Sequence, residues 1–496
     1  MLQRNEKRFA LYAEMGTGKS KMLIDTLAWL YDQGDINALA LLAPKGVYRN
    51  WADSELPTHM PAHICYRVGL WDAQGTKAQQ AGLDALGRQS DDLHVLLMNI
   101  EALGRDLENN RAYAFLDKFL TSHRALLAVD ESTVIKNPQA TRTKACLKLR
   151  RLAPYRRILS GQPSPNGPLD LYSQCEFLEP GILGHSSFYT FKAHFAQLVP
   201  MKLGNRSFKK VAGYQNLGEL HDRLSEFSFI VKKADCLDLP EKLPPVIRDV
   251  DLGPKQQRAY DQMKKLAIVE IEQALAGRAE TVDFQLLQQA TTVQGPQVDP
   301  RNFSTANLVI TQMLRLHQIL CGFLVNDARQ PVLFNEPNPR LEDLMELLDE
   351  ISGKVVIWAT YKVTIRQIAE RIAKEHGPDS VVTYYGDTSM EDRRKAIKLF
   401  QDPDSPARFF ISNRTGARGI TLTASNTSVY YSYDHDQDTH AQSQDRIHRI
   451  GQHWPCSYIY QRARGTVEDK ILEALKNKES ISSLITASNW KQFLGA

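Results

Sequence analysis

Short aliphatic and β-branched runs recur along the chain, each followed by a longer stretch whose apolar positions fall three or four residues apart. A first series comprises Phe9 to Tyr12, Ala38 to Leu42, His94 to Met98, Ala125 to Val129 and Arg157 to Leu159. A second follows at Lys354 to Trp358, Ser380 to Tyr384, Arg408 to Ile411, Ser428 to Tyr433 and Ser457 to Tyr460. Near-continuous apolar strands alternating with helical periods predict parallel sheets with crossover helices, so the chain reads as two α/β lobes. Between them, Gly161 to Arg340 is mainly helical in pattern. Over Gln256 to Leu275, for example, Tyr260, Met263, Leu266, Ala267 and Ile271 share one face. The expected organisation is a first lobe over 1–165, its helical insertion over 166–237 and a linker over 238–250. A helical insertion of the second lobe follows over 251–340 with a mobile loop near 277–307, then the second lobe over 341–480 and a tail over 481–496.

Composition narrows the class. In 496 residues, 43% hydrophobic and 24% charged positions suit packed globular domains and exclude disordered or fibrous chains. The apolar runs Ala38 to Ala43 and Val355 to Ala359 fall far short of the ~18 residues of a membrane helix. Arg4, Glu6, Lys7 and Arg8 interrupt any signal-like apolar stretch. The expectation is therefore a cytoplasmic, monomeric protein without a membrane partner. Six scattered cysteines read as reduced, mostly packed thiols. A net charge of +4, from 61 basic and 57 acidic residues, excludes a polycation but allows a local basic groove.

Three segments carry candidate chemistry. Ala13 to Ser20, AEMGTGKS, follows a strand and precedes a helix, the setting of a P-loop. Gly16, Thr17 and Gly18 would wrap phosphate with backbone N–H groups, Lys19 would reach the β/γ-phosphates, and Ser20 would ligate Mg²⁺. The strand ending in Asp130-Glu131 supplies two carboxylates where ATP hydrolysis needs one to hold the metal, Asp130, and one to activate water, Glu131. In QSQDRIHRIGQ, Arg446 and Arg449 lie one helical turn apart, so on a helix they project together and can stabilise phosphoryl-transfer charge. Alone, an acidic strand end is often a cap and a basic helix face is often solvated surface; the P-loop upstream changes both readings.

The ordered segments AEMGTGKS, LLAPKGVYRNW, LMNIEAL, DESTVIKNP, ILSGQPSPN, YYGDTS, FISNRTGARGITLT and QSQDRIHRIGQ resemble the helicase motifs of superfamily 2. The IKN after the acidic box, the Asn50-Trp51 pair, and RIHRIGQ followed by GTVEDKI resemble its Swi/Snf-type branch of double-stranded DNA translocases, in a compact viral or bacterial form. The resemblance implies two RecA-like doubly wound lobes with ATP between them. It places Gly419 and Gln442 at the nucleotide, and Lys45, Asn99, Thr360, Ser389, Arg414 and Arg418 along the DNA backbone. Ser160 to Pro163 corresponds to the motif that links hydrolysis to lobe movement. Bland alternatives stand beside these roles: Trp51 as core, Pro44 and Gly386 as turn formers, Ser389 as a helix cap. The chain departs from the family with Ser132-Thr133 in the acidic box, Ser-Gly-Gln-Pro in the third motif and Ala417-Arg418 in the fifth.

The implied function is an ATP- and Mg²⁺-dependent motor stepping along duplex DNA and displacing a bound complex such as a polymerase. Two other classes stand against it. A strand-separating DNA or RNA helicase would be marked by a wedge hairpin within Pro165 to Asp235, and an ATP-gated DNA-binding or inhibitor protein would have a vestigial ATPase.

Overall fold

The computed structural model describes residues 3, 6–45, 47–73, 75–88, 90–104, 107–203, 206–275, 305–326, 330–334, 337–417, 419–433, 436–477 and 490–494. The chain divides into two compact units, Met1–Asp238 and Leu239–Ala496.

The strands of the first unit are β1 (Arg8–Ala13), β2 (Ala38–Ala43), β3 (Tyr66–Trp71), β4 (Leu93–Asn99), β5 (Ala125–Asp130), β6 (Tyr155–Ser160), β7 (Ala196–Leu203), β8 (Arg206–Tyr214) and β9 (Ser228–Val231). Seven of them form one parallel sheet in the order β3-β4-β2-β5-β6-β1-β9. Alternate residues feed two separate cores: Ala10, Ala40, Leu96 and Leu127 pack into one, and Leu11, Leu41, Leu97 and Leu126 into the other. Both faces are covered, which is why these strands read as continuous apolar runs.

The second unit contains β10 (Val246–Asp249), β11 (Phe323–Val325), β12 (Pro331–Leu333), β13 (Val355–Trp358), β14 (Val381–Tyr384), β15 (Phe409–Ser412), β16 (Thr427–Tyr430) and β17 (Ser457–Arg462). Its main sheet is again parallel, in the order β10-β17-β16-β13-β15-β14. Val356, Phe410 and Tyr458 face one core, and Ile357, Ile411 and Val429 the other.

Three sequence expectations change. The stretch 166–237 is not wholly helical: β7 and β8 form an antiparallel hairpin, and β9 extends the first sheet beside β1. The expected linker 238–250 ends in β10, which pairs Val246 with Ile459 at an edge of the second sheet. The expected tail includes helix Trp490–Phe493, whose Trp490 and Phe493 join Leu494 in the core of the second unit. In this last case the buried apolar side chains override a polar local pattern. Most of the expected mobile loop near 277–307 lies outside the described residues. No described helix is long and apolar enough to cross a membrane.

Candidate active site

In a parallel sheet the loops that follow the strands collect along one edge, where α/β proteins bind ligands. Because β5, β6 and β1 are neighbours, the acidic box, the loop after β6 and the P-loop fall side by side there.

β1 ends at Ala13, and Glu14 to Gly18 turns the chain into helix Lys19–Asp32. Gly16 and Gly18 have φ of 82° and 89°, a left-handed backbone that costs a side-chain-bearing residue but not glycine. Such a loop opening a helix is an anion cradle. Lys19 Nζ donates to the carbonyls of Ala13 at 2.7 Å and Glu14 at 3.4 Å, and Thr17 Oγ1 donates to Glu14 O at 2.7 Å. Ser20 stands in the first helical turn, half-buried. A methyl group added to Gly161, in the loop after β6, would sit 3.4 Å from Lys19 Nζ.

Asp130 ends β5 with 7% of its surface exposed. Its Oδ2 accepts from the Trp51 indole N–H at 3.0 Å and its Oδ1 from the Glu131 N–H at 2.9 Å. Burial, and then the neighbouring Glu131 carboxylate, push its pKa up to about 6; the Trp51 hydrogen bond and the Lys19 charge act in the opposite direction. Glu131 is held in the left-handed region at φ 50°, ψ 56°, a strain of roughly 1 kcal/mol for a residue with a side chain. Sequence reading missed the Trp51 contact. The Asn50-Trp51 pair was visible, but an indole signals core packing before it signals a hydrogen bond to a carboxylate 79 positions away.

The donor set suits magnesium. A hard cation that keeps phosphate and water ligands takes one or two protein oxygens, here the Ser20 hydroxyl and the Asp130 carboxylate. Among the described residues no three His, Cys, Asp or Glu side chains form a metal-binding group.

The remaining site candidates of the first unit lie just after β2 and at the end of β4. The Lys45 N–H donates to Glu101 Oε2 at 3.1 Å, while Asn99 Oδ1 accepts from the Ala102 N–H at 2.9 Å and so caps the turn Ile100–Leu103. Register pairs Ala43 with Asn99, which keeps these two loops adjacent.

In the second unit, Arg446 is buried and donates to the carbonyls of Ile420 at 2.8 Å and Gln442 at 3.0 Å. Half-buried Arg449 donates to the same Ile420 carbonyl at 3.2 Å. The periodicity placed both arginines on one helix, whereas helix Gln437–Gln444 ends before them. They converge through a shared carbonyl, one residue after Gly419, whose φ is 74°. Thr360 and Arg414 line one pocket with Asn413, Ser432, Tyr433 and His440, and the Thr360 N–H donates to Ser432 Oγ at 2.9 Å. Burial pulls the His440 pKa down to about 4, keeping a neutral imidazole in that wall. Ser389 is apart from this pocket and caps helix Met390–Gln401, accepting from the Asp392 N–H at 3.1 Å. Arg418 lies outside the described residues.

Residues 1–297 match the SNF2-related domain, and residues 339–451 the helicase conserved C-terminal domain. The chain belongs to the SNF2-related family. This SNF2-related chain is 26% identical over 390 residues to the TATA-binding protein-associated factor MOT1 of Saccharomyces cerevisiae, covering 72% of this chain and 20% of that protein. It is 25% identical to the chromodomain-helicase-DNA-binding protein 1-like of Mus musculus, covering 95% and 47% respectively. With the DNA repair and recombination protein RAD54-like of Drosophila pseudoobscura pseudoobscura it shares 26% identity over 96% of this chain and 60% of the other. The SNF2-related chain thus spans from a fifth to three fifths of the length of these relatives. A solved Sulfolobus solfataricus SWI2/SNF2 ATPase core in complex with dsDNA is similar at 23% identity and a TM-score of 0.39, covering 99% of this chain and 91% of that one.

Proposed function

We propose that this SNF2-related chain is an ATP-driven translocase on double-stranded DNA. The observation that carries the proposal is the alignment of P-loop, acidic pair and β6 loop on three neighbouring strands of a chain that matches the SNF2-related domain from residue 1 to 297. Lys19 and the P-loop N–H groups bind the phosphates of ATP. Ser20 and Asp130 hold Mg²⁺, which when bound neutralises phosphate charge. Glu131 takes a proton from the attacking water. Arg449, with Arg446 fixing the carbonyl it rests on, supplies positive charge to the transition state. Gly419 and Gln442, from two separate motifs, contact the nucleotide. Lys45, Asn99, Thr360, Ser389, Arg414 and Arg418 follow the phosphate backbone, so affinity is salt-sensitive and largely sequence-blind. A complex bound to the duplex, such as a polymerase, is the obstacle such a motor clears.

One observation favours a second reading. The hairpin β7–β8 lies within the stretch where a strand-separating wedge was expected of a helicase. ATPase and strand-displacement assays separate the two. A translocase is stimulated more by duplex than by single strands or RNA, displaces the third strand of a triplex and leaves a forked duplex paired. ATP-dependent unwinding of the fork, lost when residues 197–213 are replaced by a short glycine-serine turn, would instead establish the helicase.

A further inference from the structure

The acidic box and the loop after β6 are joined through a helix outside both segments. Gln174, in helix Leu171–Leu178, is fully buried. Its side-chain NH₂ donates to the carbonyls of Pro163 and Asp170, each at 2.7 Å, and its Oε1 accepts from Ser132 Oγ at 2.6 Å. Ser132, also fully buried, directly follows Glu131. A second link runs one helical turn away: Asp170 Oδ2 accepts from the Asn166 N–H at 2.9 Å and pairs with Lys136 Nζ at 3.5 Å. Two rungs therefore tie Ser132 and Lys136, after the acidic pair, to Pro163 and Asn166, after β6.

Packing alone does not call for an amide here. Burying a glutamine is unfavourable unless each polar atom finds a partner, and an aliphatic side chain of similar size would fill the space without that demand. The amide connects a hydroxyl on one loop to a carbonyl on the other. Glu131 meanwhile sits in a left-handed conformation that its surroundings must hold.

We propose that Gln174 is a positioning residue of the ATPase, fixing the backbone of Glu131 relative to the Ser160 to Pro163 loop so that the water-activating carboxylate moves with that loop. This rests on the reading of Glu131 as general base. Displacing a base by a fraction of an ångström lowers turnover while leaving nucleotide binding intact.

The test measures kcat and KM for ATP, with saturating duplex DNA, for Ser132→Ala, Gln174→Leu and the double variant, alongside thermal unfolding. Each single change is expected to lower kcat about 10-fold with KM within about twofold. The double is expected to lower it by the same factor rather than 100-fold, because both changes cut one link. The double also removes the Ser132 hydroxyl that Gln174→Leu alone leaves without its acceptor, although the Pro163 carbonyl still lacks its donor, so part of the lost unfolding temperature returns while kcat stays low. Recovery of kcat together with stability would reduce the bridge to a packing role and overturn the proposal, as would a wild-type kcat in folded Gln174→Leu. If Gln174→Leu does not fold, Ser132→Ala decides: wild-type turnover there overturns the proposal. A Glu131→Gln control that keeps wild-type turnover overturns the general-base reading itself, whatever the bridge variants do.

Discussion

Asp130 and Glu131 are adjacent carboxylates in unlike surroundings, and the difference predicts separable behaviour. Lys19→Ala removes the phosphate-binding cation and should abolish both ATP binding and hydrolysis. Glu131→Gln should keep binding while turnover falls at least ~10²-fold, the usual contribution of a general base; nucleotide titrations that lose binding equally in both variants would refute this division. Asp130 offers a test by pH. With its folded pKa raised to about 6 from an ordinary 3.8, the native state holds this proton more tightly than the unfolded chain does. Its contribution favours folding at low pH and is lost as pH rises through about 6. Asp130→Asn loses one of the two accepting oxygens at every pH, so in metal-free buffer its effect on stability should be more favourable at pH 8 than at pH 4 by on the order of 2 kcal/mol. Denaturant unfolding at the two pH values measures the difference, and equal effects at both would show that the carboxylate is not disfavoured in the folded state.

Among the elements, helix Val467–Asn477 is fastened by charge as well as by its apolar face. Glu468, in the GTVEDKI segment, is fully buried and takes a paired hydrogen bond from Arg340 at 2.7 and 2.5 Å, with His317 Nε2 3.3 Å away. Burial alone would raise its pKa; the Arg340 charge, with help from His317, outweighs it and holds the carboxyl down at about 2. The pair joins helices Pro339–Glu350 and Val467–Asn477, His317 adds helix Thr305–Leu320, and His317 Nδ1 lies 3.0 Å from the Tyr361 hydroxyl, beside Thr360. Glu468→Gln leaves a buried guanidinium without its counter-charge and should cost about 3 to 5 kcal/mol. Since the folded pKa lies below the ordinary 4.5, the wild-type advantage is complete above that value and disappears as pH falls toward 2. Chemical unfolding between pH 7 and pH 3 should show the two proteins converging.

For the whole molecule the proposed motor is tested through Arg449, the proposed source of positive charge in the transition state. Arg449→Ala should reduce turnover roughly 10³-fold, as loss of an arginine finger does, while equilibrium binding of ATP stays nearly intact. Turnover within tenfold of wild type would remove Arg449 from the chemistry. Duplex stimulation should fall steeply between about 50 and 200 mM salt, because binding releases counterions from the DNA and added salt opposes that release. A salt-independent response would point to recognition of something other than the backbone.

Periodicity located ten strands, most of them buried on both faces, because such strands must be continuously apolar, and it located the P-loop and acidic pair because each sits at a strand end with its own local signature. Three edge strands were not legible. Tyr66–Trp71, Ser228–Val231 and Val246–Asp249 have mostly exposed or half-buried side chains, so hydrogen bonding to a neighbouring strand, not apolar pattern, makes them strands. The hairpin β7–β8 was likewise hidden in a stretch whose flanks read as helix. Strand order decided the rest. Only after β2, β5, β6 and β1 take their places does Trp51 reach Asp130 and Gln174 reach Ser132, across 79 and 42 positions. Local pattern specifies what a segment does with its own backbone, whereas partners far apart in sequence are chosen by the packing of layers that no local window contains.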